Sequence, residues 1–286
     1  MERRRRQTQF TQREIMDVVN DPRYTPYDGG LHYPKPISDK LEKLGKLTFA
    51  LYGDNKLEYE FTGLNSLKHK KGGVWLTEYY ESYEAAPDVI FFFHLVRPSW
   101  PQEMKAFCVD LTTNRVTINN AQIGNDEYSP RDTSSNITFA TIEGRGAVTG
   151  EAHEFTDDFT GKVAAWKIGD IWLTHHYINH RFFLNEILGV APDSIFLTIA
   201  EPAQYVCIDR ARQLYVFSWR EMAGPGILGM DVMDFSTMTS AGMFFGINET
   251  DRFECYAMSR RAGKWLSVED RKKLHKEGIY SVVGNL

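Results

Sequence analysis

The sequence predicts a mostly β protein: two tandem antiparallel β-barrels with short helices near its N- and C-terminal ends. Three observations carry this. First, the chain repeats: Gly45-Lys46 and Gly53-Asp54 recur at the same spacing as Gly161-Lys162 and Gly169-Asp170. Further on, the run Val89 to Arg97, followed by Pro101 and Asp110-Leu111, matches Leu214 to Glu221, followed by Pro225 and Asp234-Phe235. Second, short apolar or alternating segments succeed one another at roughly 8–12 residue spacing with few helical patterns between them, as in all-β sandwiches and barrels. Third, aromatic residues make up 13% of the chain and concentrate in those segments, so large flat side chains are available to fill a barrel or to wall a pocket. Closure of each sheet is expected because it removes edge strands that would aggregate.

Residues 1–38 form a leader. Thr11 with Glu14 fits a capping box for a helix over Thr11–Val19, with Ile15, Val18 and Val19 as its apolar stripe. The Pro- and Gly-rich stretch 21–36 is expected to run extended, as a strap. The first barrel is placed at 39–150. Leu47–Tyr52 and Leu57–Phe61 alternate around Gly53-Asp54-Asn55, as a hairpin does. Trp75–Tyr83 alternates, Val89–Val96 is continuously apolar, Met104–Leu111 pairs back on it, and Arg115–Ile118 follows. The polar segment Ala121–Thr138 is expected to connect the barrels, with Phe139–Val148 either a last strand or linker.

The second barrel is placed at 151–286. Its strands are expected at Lys162–Ile168, Trp172–Phe183, Ser194–Thr198, Ala203–Asp209, Gln213–Arg220, Leu228–Phe235 and Ala241–Asn248. Ser267 and Asp270 fit a capping box for a helix over Val268–Lys276.

Composition narrows the function. A net charge of −5 gives no field for nucleic acid, and Arg3–Arg6 reads as a solvated tail. No apolar stretch approaches the ~18 residues of a membrane span. Cys108, Cys207 and Cys255 are odd in number and far apart, the pattern of reduced thiols in a cytoplasmic protein. Gly224-Pro225-Gly226-Ile227-Leu228-Gly229 matches G-x-G-x-x-G literally, but β alternation follows it and Pro225 interrupts it, so it reads as a turn. Neither a Walker A motif, nor G-x-S-x-G, nor H-E-x-x-H occurs.

The candidate site lies in the second copy. Glu221 shares a strand face with Tyr215, Phe217 and Trp219; if that face is inward, an apolar barrel rim would fit Glu221 for general acid or base work. His175, His176 and His180 fall on one strand, where positions four apart lie ~13 Å apart and neighbours face opposite ways, so no single ion binds that set. His176 or His180 would partner Glu221. Trp219, Phe217, Tyr177 and Tyr215 would wall the ligand, and Asn179 or Arg181 would orient its carbonyl or carboxylate. Arg97 is taken as the first-copy counterpart of Glu221, with His94 on the opposite face. No metal and no cofactor is called for. The expected partner is a small hydrophobic or aromatic molecule, without nucleic acid or membrane, and a homodimer is left open.

The segments Leu214–Glu221, Gly229–Phe235 and Gly242–Gly246, with Phe91–Ile118 in the first copy, resemble the MoaF-like proteins over residues 40–258. That resemblance implies two lipocalin-like, calycin-type barrels. Tyr52–Glu60 and Ser218-Trp219-Arg220-Glu221 are similar, more faintly, to the phenolic acid decarboxylases, whose acidic catalytic residue would fall on Glu221. The tyrosines by which those enzymes grip a carboxylate would fall on Trp166 and Ile168 in the second copy, and in the first on Tyr52 and Ala50. The resemblances and the residues together imply a cofactor-free lyase, isomerase, cyclase or decarboxylase of secondary or aromatic metabolism. The alternatives are a lipocalin-like carrier or sensor, or an interaction scaffold whose barrels are both filled by their own side chains.

Overall fold

A computed structural model describes residues 35–53, 55–96, 102–123, 133–168, 171–188, 195–222, 226–247 and 253–284. The expected leader helix, most of the strap, Arg97, Gly169-Asp170 and the Gly224-Pro225 turn lie outside them.

A short helix α1 (Lys40–Leu44) opens the first barrel and pushes Leu41 into its base. Eight antiparallel strands follow: β1 (Lys46–Leu51), β2 (Lys56–Gly63), β3 (Ser66–Lys71), β4 (Val74–Ala86), β5 (Val89–Val96), β6 (Glu103–Asp110), β7 (Arg115–Ile123) and β8 (Thr133–Ile142). Each pairs with the next, and β8 returns to β1, so the barrel is closed. The segment expected to join the barrels is thus partly strand. β7 runs on to Ile123, and β8 begins at Thr133 and pairs with β7 along its whole length.

The second sheet repeats the antiparallel plan but, against the expected closure, its end strands do not pair with each other. Its strands are β9 (Glu154–Phe155), β10 (Val163–Ile168), β11 (Ile171–Asn179), β12 (Phe182–Leu188), β13 (Ile195–Asp209), β14 (Leu214–Arg220), β15 (Ile227–Asp234), β16 (Thr239–Ile247), β17 (Phe253–Met258) and β18 (Arg261–Trp265). They form one curled ten-stranded sheet, with β17 and β18 at the ends of its path and β9 added beside β13. At the Ser259–Arg260 corner the chain passes from one end to the other. Ser240 N–H donates to Arg260 O at 2.9 Å and Gly263 N–H to Met238 O at 3.1 Å, fixing the corner against β16. Trp172–Phe183, expected as one strand, turns at His180-Arg181 into two. The segments expected either side of Glu201 are instead the single strand β13.

The duplication is visible in side chains as well as strands. Val89 pairs with Asp110, and Leu214 pairs with Asp234. Asp110 Oδ1 accepts the Thr112 N–H at 2.8 Å and Asp234 Oδ1 accepts the Ser236 N–H at 2.9 Å. Four residues after each Asp the backbone turns left-handed, at Asn114 (φ 58°) and at Met238 (φ 51°). An aspartate that bonds the backbone two residues on is how a tight turn holds itself.

The barrels pack back to back. Phe91, Phe93, Leu95, Met104 and Ala106 on the outside of the first meet Val216, Met230, Val232, Met243 and Phe245 on the outside of the second in one apolar cluster. β5 and β15 are therefore buried on both faces, which is why Val89–Val96 reads as continuously apolar. At the C-terminus, α2 (Val268–Glu277) carries the expected capping box at Ser267 and Asp270, and α3 (Tyr280–Val283) follows. No helix among the described residues is long and apolar enough to cross a membrane.

Candidate functional site

Alternation decides which residues of the second barrel face inward. On β14 these are Tyr215, Phe217 and Trp219; on β11 Leu173 and Tyr177; on β13 Ala203, Tyr205 and Cys207. Phe217 stacks on Trp219 (centroids 4.7 Å apart, 14°) and on Tyr205 (5.4 Å, 4°), so the expected aromatic walls are present. Tyr177 stands edge-on to Tyr205 at 5.7 Å.

Glu221 follows on the same face, just beyond the end of β14, its N–H bonded to Ile227 O at 2.9 Å. The Trp219 indole N–H donates to Glu221 Oε1 at 2.8 Å. Opposite stands Glu201. The register pairs Ala203 with Trp219, so two residues further along the same face of β13 Glu201 meets Glu221. Glu201 is fully buried, accepts the Met222 N–H at 3.3 Å, and has the Glu221 carboxyl and the Asn185 amide against its own carboxyl. Burial first, and the charge of Glu221 second, push the Glu201 pKa up to about 9. A carboxyl beside a carboxylate in an apolar setting holds its proton at neutral pH.

Beside this pair sits a buried cation. Arg260, at the corner between β17 and β18, is 2% exposed and forms an ion pair with Asp231 of β15. Its guanidinium lies 4.6 Å from the Trp219 ring and 5.6 Å from that of Phe217. Ser240 donates to Asp231 Oδ2 at 3.2 Å and accepts the Arg260 N–H at 2.9 Å. Burial lowers Arg260 to about 10, with Tyr177, Glu221 and Glu201 pulling the other way. His175 packs into the same cluster, its ring 4.7 Å from Phe183 and 5.4 Å from Phe217. Burial foremost, then the charge of Arg260, depress its pKa far below the ordinary range, so its imidazole is neutral. His175 Nδ1 and Arg260 Nε have no hydrogen-bond partner among the described residues.

The structure thus brings Glu221, Trp219, Phe217, Tyr177 and Tyr215 to the interior face of the second sheet and leaves the other expected residues off it. His176 lies on the opposite face of β11, where Nε2 bonds Glu186 Oε2 at 2.7 Å. Asn179 Oδ1 accepts the N–H groups of Arg181 and Phe182 at 2.8 and 3.0 Å, holding the β11–β12 turn. His180 and Arg181, both exposed, bond each other at 3.2 Å and border a cleft of about 490 Å³ between that turn and β9. The histidine inside the aromatic cluster is their neighbour His175. Glu201, Asp231 and Arg260 escaped the sequence reading, although pairing β13 with β14 through the apolar run would have set Glu201 across from Glu221.

The first copy follows a different count from the one expected. Its inward residues on β5 are Ile90 and Phe92, continued by His94, whose ring contacts Tyr59, His69 and Phe107 inside that barrel. Aligned from Val89 and Leu214, His94 corresponds to Trp219, and the counterpart of Glu221 is the buried Val96, not Arg97. The tyrosine grip of the phenolic acid decarboxylases has no equivalent: Trp166 is packed in the core and Tyr52 is 63% exposed.

A closed eight-stranded barrel back to back with a curled ten-stranded sheet, the latter holding a carboxyl pair and a buried arginine among aromatic rings, defines a duplicated protein of two barrel-like units. Residues 153–267, from just before β9 to just beyond β18, match the family model for the MoaF C-terminal domain. That match covers the second sheet, and the two barrel-like sheets are consistent with a MoaF-like two-barrel protein. No curated protein matches it.

Proposed function

We propose that this MoaF-like protein binds a small aromatic or otherwise hydrophobic metabolite in the second barrel and transforms it by cofactor-free acid–base chemistry of lyase, isomerase, cyclase or decarboxylase type. The observation that carries this is the Glu201–Glu221 pair beside the buried aromatic cluster of the second sheet. Glu201 retains a proton at neutral pH and acts as the acid. Glu221, fixed by the Trp219 N–H, acts as the base. Two carboxyls whose environments separate their affinities for a proton divide the acid and base roles between them. Arg260, held over Trp219 by Asp231, stabilises negative charge that develops on a ligand oxygen, and His175 Nδ1 offers a neutral hydrogen-bonding group. Three buried free cysteines support a reducing, cytoplasmic setting.

The test is comparative turnover. Wild type, E201Q and E221Q are incubated with a small-molecule extract of the source cells, and depleted and newly formed ions are followed by mass spectrometry. Wild type is expected to convert at least one component, and E221Q to convert it ~100-fold more slowly or worse, the usual contribution of a positioned acid or base. Equal conversion by E221Q removes the pair from the mechanism. The carrier reading draws on Arg260 alone, since a carrier needs walls and one anchor. It predicts a component retained unaltered by wild type and E221Q alike in native mass spectrometry.

A further inference from the structure

The first barrel contains a polar chamber that the reading above does not use. Register lines up His94 of β5 with Lys105 of β6, Lys105 with Asn120 of β7, and Asn120 with Asn136 of β8, one row across four strands. The row runs from the fully buried His94 to the exposed Asn136. Below it the interior is solid: Phe92 and Phe107 stack at 4.3 Å, and the Tyr59 hydroxyl bonds His94 Nε2 at 3.0 Å. Above it is a cavity of about 330 Å³ bordered by Lys105, Asn120, Gln122, Ser134, Asn136 and Glu103.

Lys105 is the unusual member. Its ammonium donates to the neutral Asn120 Oδ1 and makes no ion pair among the described residues. The nearby carboxylate, Glu103, is held by Lys71 at 2.9 and 3.0 Å. Asn120 in turn donates to Thr138 Oγ1 at 3.3 Å, which fixes its amide with oxygen toward the lysine. A largely buried cation facing only a neutral acceptor is under-compensated, and an anion entering the cavity would supply the missing charge-assisted bond.

We propose that the mouth of the first barrel is a second ligand site, taking a small monocarboxylate whose carboxylate sits on Lys105 while its body fills the cavity toward Gln122 and Asn136. The volume is at the small end of the range for ligand pockets, which sets the size class. One ammonium bordered by amides, hydroxyls and the Glu103 carboxylate already paired with Lys71 suits a single negative charge. Phosphate, with more charge, would meet Glu103, whose partner Lys71 is already engaged. Burial lowers the Lys105 pKa, as expected of an ammonium awaiting its counter-ion.

Isothermal titration at constant ionic strength, with benzoate, benzamide and inorganic phosphate as probes, tests the site. Benzoate is expected to bind the wild-type protein at least 10-fold more tightly than benzamide or phosphate, and K105M to lose at least 10-fold of the benzoate affinity. Near-UV circular dichroism checks that K105M keeps its fold, and K105Q repeats the measurement should methionine disturb it. Absence of benzoate binding to wild type, undiminished binding to both folded variants, or equal binding of benzamide or phosphate would overturn the proposal.

Discussion

Replacing Glu201 by glutamine should make the protein more stable at neutral pH. Glu201 is wholly buried, and its pKa rises from the ordinary 4.5 to about 9, chiefly through burial and then through the facing Glu221. Between those values the unfolded chain has released the proton and the folded chain still binds it. The stability linked to this group is therefore complete below pH 4.5 and drains away as pH rises toward about 9. At about 1.4 kcal/mol per unit, the native state forgoes about 3 kcal/mol at pH 7. Glutamine has the same shape, never ionises, still accepts the Met222 N–H, and can donate to Glu221 as the protonated carboxyl does. E201Q should thus melt roughly 6–12 °C above wild type at pH 7, given about 2–4 °C per kcal/mol in chains of this size. The difference should shrink to nothing near pH 4.5. Differential scanning calorimetry of both proteins between pH 4.5 and 8.5 measures it. A melting difference that stays flat with pH, or an E201Q protein less stable than wild type at pH 8, would refute a proton held by burial and by Glu221.

D231A strands Arg260 as an uncompensated buried cation, a change that costs about 3–5 kcal/mol and should appear as a lowered denaturant midpoint. In G229A the new Cβ would fall 2.2 Å from the Trp219 ring; the indole should move off Glu221, at a cost of about 1–3 kcal/mol, with changed near-UV circular dichroism. E186Q removes an acceptor whose pKa is lowered below 4.5 mainly by its bond to His176, against burial and helped by Thr174. Stability from that carboxylate is present above pH 4.5 and lost as pH falls through its lower native value. The variant should be about 1 kcal/mol weaker than wild type at pH 7, with the gap closing in acid, as urea melts at both pH values would show.

The strand plan was legible because the repeat and the apolar alternation express the same constraint: one face in, one face out. What hid from the sequence were places where tertiary context overrides local signals. β3, Ser66–Lys71, carries four polar residues around Leu67 and His69, so its inward pair is obscured by lysines. β13 passes through Pro202, which marks a strand end on propensity. Here the chain changes neighbours at that point, from β12 to β14, and the missing N–H costs no ladder bond within either pairing. The β11–β12 turn contains neither Gly nor Pro and is held instead by the Asn179 side chain. The polar segment around residue 130 carries turn residues because it lies between β7 and β8, not between barrels.

The site divides along the same line. Glu221 was legible because parity with Phe217 and Trp219 survives the end of the strand. His175 and His176 could not be told apart from sequence, since residues on both faces of β11 are buried there. Arg260 depends on the corner after β17 and on Asp231 two strands away, a distance no local pattern spans.

The two copies show how one frame came to hold different chemistry. In the first barrel Phe92 faces Phe107, and the rings stack at 4.3 Å. At the matching positions of the second barrel Phe217 faces Asp231, and the guanidinium of Arg260 covers the ring in place of a second ring. One step toward the mouth, His94 faces Lys105 in the first copy and Trp219 faces Gly229 in the second. The glycine is required there, because any Cβ would occupy the place of the indole. Each exchange is paired: a ring lost at Phe107 is replaced by a carboxylate with its own cation, and a lysine lost at the mouth makes room for the ring that positions Glu221. Such compensation places an ammonium against a neutral amide in one barrel and a carboxyl pair beside a buried arginine in the other, so the two interiors differ in the chemistry they present.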